Sequence, residues 1–433
     1  MQAGFGEVVI TPPLGVGMAG YFEARFAEGI KDDLFSRALV VSQGDTHVAL
    51  VVTDLISVLS CDVEAVKEHV QARVGIPGSN VLVAATHTHT GPVIHRRPGS
   101  LRNDQYMEQW AHLTAGAVEL AFRDRVEVTL GIGKGSLPGV AFNRRFHMKN
   151  GHAHSNPGVG NPDIVKPAGP VDPDVTVLRF DGPDGVPVGV LSHFGCHCDT
   201  VGGKLFSADW VGVAAKQIRS LMQPKASSRP FGVIVVNGAS GDINQFNVND
   251  PGRRRRWPGF TEEIGLGLAG ETVRVAVSLS PELSDQVGAA VTEVSLQRMP
   301  VDEFLAKSQQ AVDDPKVGSM ERRRAQANLK QSRHDDPESF NQEVMCLRIG
   351  PALIMSGPGE MFCQLGLRFK DAFDDAFGMV ANLSNGWLGY VPSANAYEEG
   401  GYEPRSTRLQ PGSGEAIIDA GIALGKQLLG SDR

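Results

Sequence analysis

The chain has 433 residues, more than an ordinary domain holds but within reach of one large α/β unit. It is 41% hydrophobic and 21% charged, proportions that exclude general disorder. With 41 Lys and Arg against 49 Asp and Glu, and a net charge of −8, it lacks the basic surface of a nucleic-acid binder. Its five cysteines are too few for a disulfide framework.

Residues 1–13 carry neither a basic n-region nor a long apolar run, and read as the approach to a strand rather than a secretory signal. The most apolar stretch, residues 47–60, is interrupted by Asp54 and is too short to span a bilayer. A cytoplasmic protein with no stable membrane association is expected. Short β-branched runs that end in loops of Gly, Pro, Asn, Thr and Ser predict strands at Val48–Thr53, Val81–Ala85, Thr176–Phe180, Val186–Ser192, Gly232–Val236, Ala352–Met355 and Met379–Ala381. Asp62 reads as the N-cap of a helix running through Arg73, with Val63, Val66 and Val70 on one face and Gly75 and Pro77 as stops. Further helices are predicted from Asp209 to Met222 and from about Thr261 to Ser278. This alternation predicts an α/β fold of mixed sheets flanked by helices, in one domain over residues 1–433. No internal repeat interrupts it. Val301–Glu338 is charge-dense and poor in large apolar residues, so an exposed helical insertion around 301–340 is expected, a solvated face without chemistry.

Four places carry chemistry. His87 and His89 follow the strand Val81–Ala85 directly, and carboxyl ends of strands are where ligands gather in open α/β sheets. A His-x-His pair in extended conformation points both rings to one side, which suits a metal such as zinc. One ring serving as a hydrogen-bonding neighbour, or both merely satisfying loop carbonyls, are the plainer readings. Val186–Ser192 leads in the same way to His193 and then Cys196-His197-Cys198-Asp199. Strand alternation puts the two cysteines opposite His197, so structural thiols and a ligand histidine are expected. A third strand ends in Gly357-Pro358-Gly359-Glu360, where the carboxylate is either a ligand or an ordinary turn residue. The fourth holds Tyr390, Tyr397 and Tyr402, three of the chain's five tyrosines.

Taken in order with Ile10-Thr11-Pro12-Pro13, Met18-Ala19-Gly20-Tyr21, Asn143-Arg144, Val171-Asp172-Pro173 and Ser207-Ala208-Asp209, these motifs resemble the N-terminal catalytic domain of the neutral/alkaline (non-lysosomal) ceramidases nearly end to end. The resemblance implies that family's α/β fold and leaves no room for its C-terminal immunoglobulin-like domain. It implies one catalytic Zn2+ per chain held by His87, His197, Glu360 and Tyr390, with His89 beside the metal and Arg144 at the active site. Two imidazoles and a carboxylate leave zinc net positive with an open position, able to activate water, and a nearby arginine stabilises a developing oxyanion.

Two departures bear on mechanism. The ceramide-cleaving members carry Gly-Asp-x-Ser-Pro with a nucleophilic serine; this chain has Gly241-Asp242-Ile243-Asn244-Gln245, and asparagine is no nucleophile. Ser240 has no evident activating neighbour in sequence. Water activated by the metal is therefore the expected nucleophile, with Asn244 donating a hydrogen bond to substrate or oxyanion. The second departure is Cys198-Asp199, where Pro-Thr is usual. The basic run Arg253–Arg256 reads as a solvated loop, or as one reaching over the pocket to attract an anionic substrate. The expectation is a zinc-dependent amidohydrolase acting on a small soluble acylated substrate. The alternatives are an ester or lactone hydrolase, a metal-dependent lyase, or a non-catalytic zinc protein that binds a ligand.

Overall fold

The computed structural model describes residues 1–96, 99–225, 227–250, 252, 259–330 and 337–430. Three larger sheets organise the molecule, each containing one parallel strand pair. In the first, Val81–Ala85 runs parallel to Thr46–Thr53, which continues antiparallel through Phe35–Gln43 and Gln2–Val9. In the second, Gly232–Asn237 runs parallel to Pro187–Phe194, followed by antiparallel Asp174–Asp181 and Thr129–Ser136. In the third, Phe377–Asn382 runs parallel to Ala352–Gly357, with Ser339–Ile349 and Val287–Gln297 beyond. Each predicted strand is present: Val81–Ala85 has the predicted bounds, the predicted Val186–Ser192 runs from Pro187 to Phe194, and the other five are lengthened by one to three residues. Parallel neighbours send their following loops out at the same edge, and those loops carry the predicted site.

The period-two alternation of strands explains why the apolar runs look continuous. On the first sheet Val40, Val51 and Val83 face the helices Ser60–Val74 and Asp104–Arg123, while Leu39, Leu50 and Leu82 face inward. On the second, Val177, Val190 and Val235 face Asp209–Met222 and Phe260–Ser278, while Leu178, Leu191 and Ile234 face inward. On the third, Val344, Leu353 and Val380 face Cys363–Lys370 and Ser413–Gly430, while Met345, Ile354 and Met379 face inward. The three inner faces share one core. Truncating a fully buried member such as Leu191 to Ala should cost about 2–5 kcal/mol.

Two expectations need correcting. Asp62 is not an N-cap: the helix starts at Ser60 after Leu59, and Asp62 lies buried in its first turn, gripped by Arg102 at 2.7 and 2.8 Å. The segment after Val301 is helical as expected, at Val301–Asp313 and Ser319–Lys330, but it is no free solvated face. Glu321 and Asn328 are buried, the first paired with Arg405 at 3.0 Å and the second donating to the Arg405 carbonyl at 2.9 Å. The basic run Arg253–Arg256 and Asp335-Asp336 lie outside the described residues. Among the described residues no helix is long and apolar enough to cross a membrane.

Candidate metal centre and active site

The loop after Val81–Ala85 is pinned by backbone bonds from Thr86 to Thr53 and from His87 to Leu55. The pair is not extended: His87 takes φ +73°, a left-handed conformation uncommon outside glycine. That turn, rather than strand alternation, brings the His87 and His89 rings together, with centroids 4.8 Å apart. The His89 amide donates to the Cys198 carbonyl at 3.0 Å, which ties this loop to the one bearing His197. His197 follows the second sheet's strand end, its amide bonded to Ile243 and its carbonyl to the Trp210 indole. Glu360 starts the two-residue strand Glu360–Met361, which pairs in parallel with Tyr390–Val391 so that Glu360 stands opposite Tyr390.

His87, His89 and His197 thereby present ring nitrogens all within 4.8 Å of one another. The Nε2 atoms of His87 and His197 are 3.2 Å apart, as are those of His87 and His89. Glu360 Oε2 lies 3.3 Å from both His87 Nε2 and His197 Nε2. His87 Nδ1 donates to the Ile56 carbonyl at 2.7 Å and His197 Nδ1 to the Ser240 carbonyl at 2.8 Å. A neutral imidazole that donates from Nδ1 offers only a lone pair at Nε2. Burial pushes His197 down to about 4, with Arg144 acting in the same direction, and drives His89 well below its ordinary value. Burial works to raise the Glu360 carboxyl, but the facing His87 and His197 overcome it and hold the group well below the usual carboxylate range. Glu360 Oε2 is buried without a hydrogen-bond partner among the described residues. Lone pairs and a carboxylate therefore converge on one another, an arrangement that a cation among them relieves. The three histidines could hold a metal ion, with Glu360 beside them.

Arg144 closes one side of the group. Its Nη1 donates to His197 Nε2 at 3.0 Å, its Nη2 to the Tyr390 hydroxyl at 2.9 Å, and its Nε to Glu403 at 2.7 Å. Tyr390 thus reaches the histidines through Arg144, and burial raises its phenol against the pull of that charge. Asn244 is buried in the neighbouring wall, where Nδ2 donates to Asn156 at 2.7 Å and Oδ1 accepts from the Phe246 amide at 3.0 Å. Among the described residues it shares no hydrogen bond with the histidines. Ser240 is buried beside Asn237 and Asn382, each 3.5 Å away, with no base bonded to its hydroxyl among the described residues. Cys196 and Cys198 are fully buried in the second sheet's core, as expected of structural thiols.

Glu403 had no assigned role in the sequence. It is fully buried, binds Arg144, and accepts from Ser155 at 2.5 Å. Its one local signal is Gly400-Gly401 just before it, both at positive φ. Asp199, marked only as a departure, lies 3.7 Å from His89 Nδ1 and accepts from the Tyr21 hydroxyl at 2.6 Å.

Comparison with known proteins agrees with this architecture. A neutral ceramidase of Pseudomonas aeruginosa is 28% identical over 322 residues, 69% of this chain and 45% of that protein, so the match spans less than half of the relative's length. The crystal structure of neutral ceramidase from Pseudomonas aeruginosa superposes with a TM-score of 0.77 at 20% identity, covering 99% of this chain and 74% of the other. A ceramidase complexed with C2 gives a TM-score of 0.75 at 19% identity, covering 98% and 75%. These likenesses share the fold of mixed sheets and flanking helices. The family model for neutral/alkaline non-lysosomal ceramidase, N-terminal, matches residues 1–251, and the chain belongs to that family.

Proposed function

We propose that the protein is a zinc-dependent hydrolase that cleaves the amide bond of a small acylated substrate with water as the nucleophile. The observation that carries this is the spacing of the donor atoms. A tetrahedral ion with ligand distances of about 2.0–2.2 Å sets its ligand atoms roughly 3.3–3.5 Å apart. His87, His197 and Glu360 show 3.2, 3.3 and 3.3 Å between their facing atoms. These three residues would hold the ion. Once bound, it supplies Lewis acidity at the scissile carbonyl and lowers the pKa of water there. His89 has the short spacing to His87 but makes no such contact with Glu360 among the described residues, which suits a place beside the ion.

The chain's own groups supply the rest. His89 Nε2 takes the proton of the attacking water and returns it to the departing nitrogen, so that addition of O–H and cleavage of C–N balance. Arg144 is fixed at Nε by Glu403 and at Nη2 by Tyr390; with the His197 Nε2 lone pair given to the ion, its Nη1–H groups would be free to meet the negative charge that develops on the carbonyl oxygen. The Tyr390 hydroxyl accepts from Arg144 and keeps its own hydrogen to donate toward the same oxygen. Asn244 retains one Nδ2 hydrogen for the substrate. Ser240 takes no part.

The test is turnover of a panel of N-acyl amides (a short-chain ceramide included), esters and lactones, before and after chelation. Amide cleavage that stops on chelation and returns with zinc is the expected result. Preferred lactone or ester cleavage would move the assignment to that bond, and turnover unaffected by complete metal removal would refute it.

A further inference from the structure

We infer that Asp199, held in place by the Tyr21 hydroxyl, is the positioning residue for His89: it receives the Nδ1–H of that imidazole and so keeps the Nε2 lone pair free to take the proton of the attacking water. This rests on the proton-transfer role proposed for His89.

The three clustered histidines differ in what holds them. His87 and His197 each give Nδ1–H to a backbone carbonyl. His89 Nδ1 is buried and has no hydrogen-bond partner among the described residues, with Asp199 Oδ1 3.7 Å away. That separation exceeds a hydrogen bond, but a small rotation of ring or carboxylate closes it. Without such an acceptor a neutral imidazole exchanges freely between its two tautomers, and only the Nδ1–H form leaves Nε2 able to accept a proton.

The surroundings of Asp199 are built to hold it. Tyr21 donates to its Oδ1 at 2.6 Å, and the Asp199 carbonyl is fixed by Gln245 Nε2 at 2.9 Å. The Tyr21 ring packs edge-on against His89 with centroids 6.0 Å apart, and the Arg25 guanidinium lies 4.0 Å from the centroid of the Tyr21 ring. Arg25 in turn donates to the His89 carbonyl at 2.7 Å and the Gly203 carbonyl at 2.6 Å. Gly20, at φ +105°, lets this segment approach: a Cβ there would come 2.6 Å from both the His89 Cβ and its carbonyl oxygen. The Met18-Ala19-Gly20-Tyr21 motif thus packs directly on His89. His89 is the one of the three whose Nδ1 faces a carboxylate instead of a backbone carbonyl, an arrangement that fixes the tautomer and orientation of an imidazole through its second nitrogen.

Two measurements test this. With 15N-labelled histidine, and His89 assigned by its loss in His89→Gln, the ring nitrogens of His89 should report the Nδ1–H tautomer in the wild type and a mixture in Asp199→Ala. An unchanged tautomer in Asp199→Ala overturns the proposal. In turnover, Asp199→Ala should lower kcat about 10–100-fold with KM and metal content unchanged, and Asp199→Asn should recover part of the loss. Tyr21→Phe should lower kcat by less, and add nothing in the Asp199→Ala background, because it acts through Asp199. A rise in KM instead of a fall in kcat, or additive effects of the two substitutions, would also overturn it. If no amide is turned over, the hydrolase reading fails while the nitrogen spectrum still decides this proposal.

Discussion

Replacing Gly241 with Ala tests how tightly the Glu360 carboxylate is placed. A Cβ at Gly241 would lie 2.3 Å from the Glu360 carbonyl oxygen, 2.8 Å from its carbon and 3.1 Å from the Met361 oxygen. These are backbone atoms, so no side chain can swing aside. Restoring ordinary contact requires the Glu360–Met361 strand end to retreat by roughly 1 Å. The Gly241–Met361 bond of 2.8 Å and the Glu360–Gly389 bond of 2.9 Å resist that retreat. Overpacking of this kind costs about 1–3 kcal/mol, and in a chain of this length each kcal/mol moves Tm by only about 1 °C. The functional effect should be larger, because a displacement of about 1 Å at a catalytic group costs on the order of 100-fold in kcat. The assay is kcat on the best amide of the panel, with zinc content by plasma mass spectrometry and Tm by circular dichroism. Gly270→Ala is the control: it lies in the helix Phe260–Ser278 with nothing within 4 Å, and should match or exceed wild-type stability. Wild-type kcat and full zinc in Gly241→Ala would refute the claim that this backbone contact sets Glu360.

Asn244→Ala should lose on the order of 10²–10³ in turnover, whereas Ser240→Ala should keep substantial activity with no acyl-enzyme in mass spectra taken during turnover. A trapped acyl group on Ser240, or an unaffected Asn244→Ala, would reverse those roles. Cys61 is exposed and the other four cysteines are buried, with burial pushing Cys346 up to about 12 and Cys198 and Cys363 upward as well. Thiol labelling at pH 8 should therefore find one fast thiol in the native chain and five in denaturant; a second fast native thiol would contradict the packing. Burial pushes His193 from 6.5 down to about 4, so the unfolded chain binds that proton more readily. The associated stability is complete above about pH 6.5 and is lost as pH falls toward 4. The urea midpoint should drop less between pH 7 and 4.5 in His193→Gln than in the wild type, and equal drops would count against it.

The β-branched runs and the helix Asp209–Met222 were legible because local pattern and tertiary role agree there. The helix Asp104–Arg123 went unread: small residues such as Ala111, Ala115, Ala117 and Ala121 fill its buried face and blur the apolar stripe around Trp110. The histidines and Glu360 were found because each follows a strand end, but their meeting depends on loops from three different sheets. The placing of His87 by a left-handed turn has no marker in its residue type. Tyr390 faces Glu360 through a pairing of two-residue strands, which no periodicity reveals. Glu403 acts from far along the chain, 259 positions after its partner Arg144.

The central claim is that His87, His197 and Glu360 form the binding site of one catalytic zinc. Plasma mass spectrometry on the wild type, His87→Ala and His197→Ala tests it most directly, with amide turnover of each preparation followed in parallel. One zinc per active wild-type chain, and loss of most of the metal together with activity in both variants, is the predicted result. Full zinc occupancy in both variants, or an active wild type free of metal, would contradict the account.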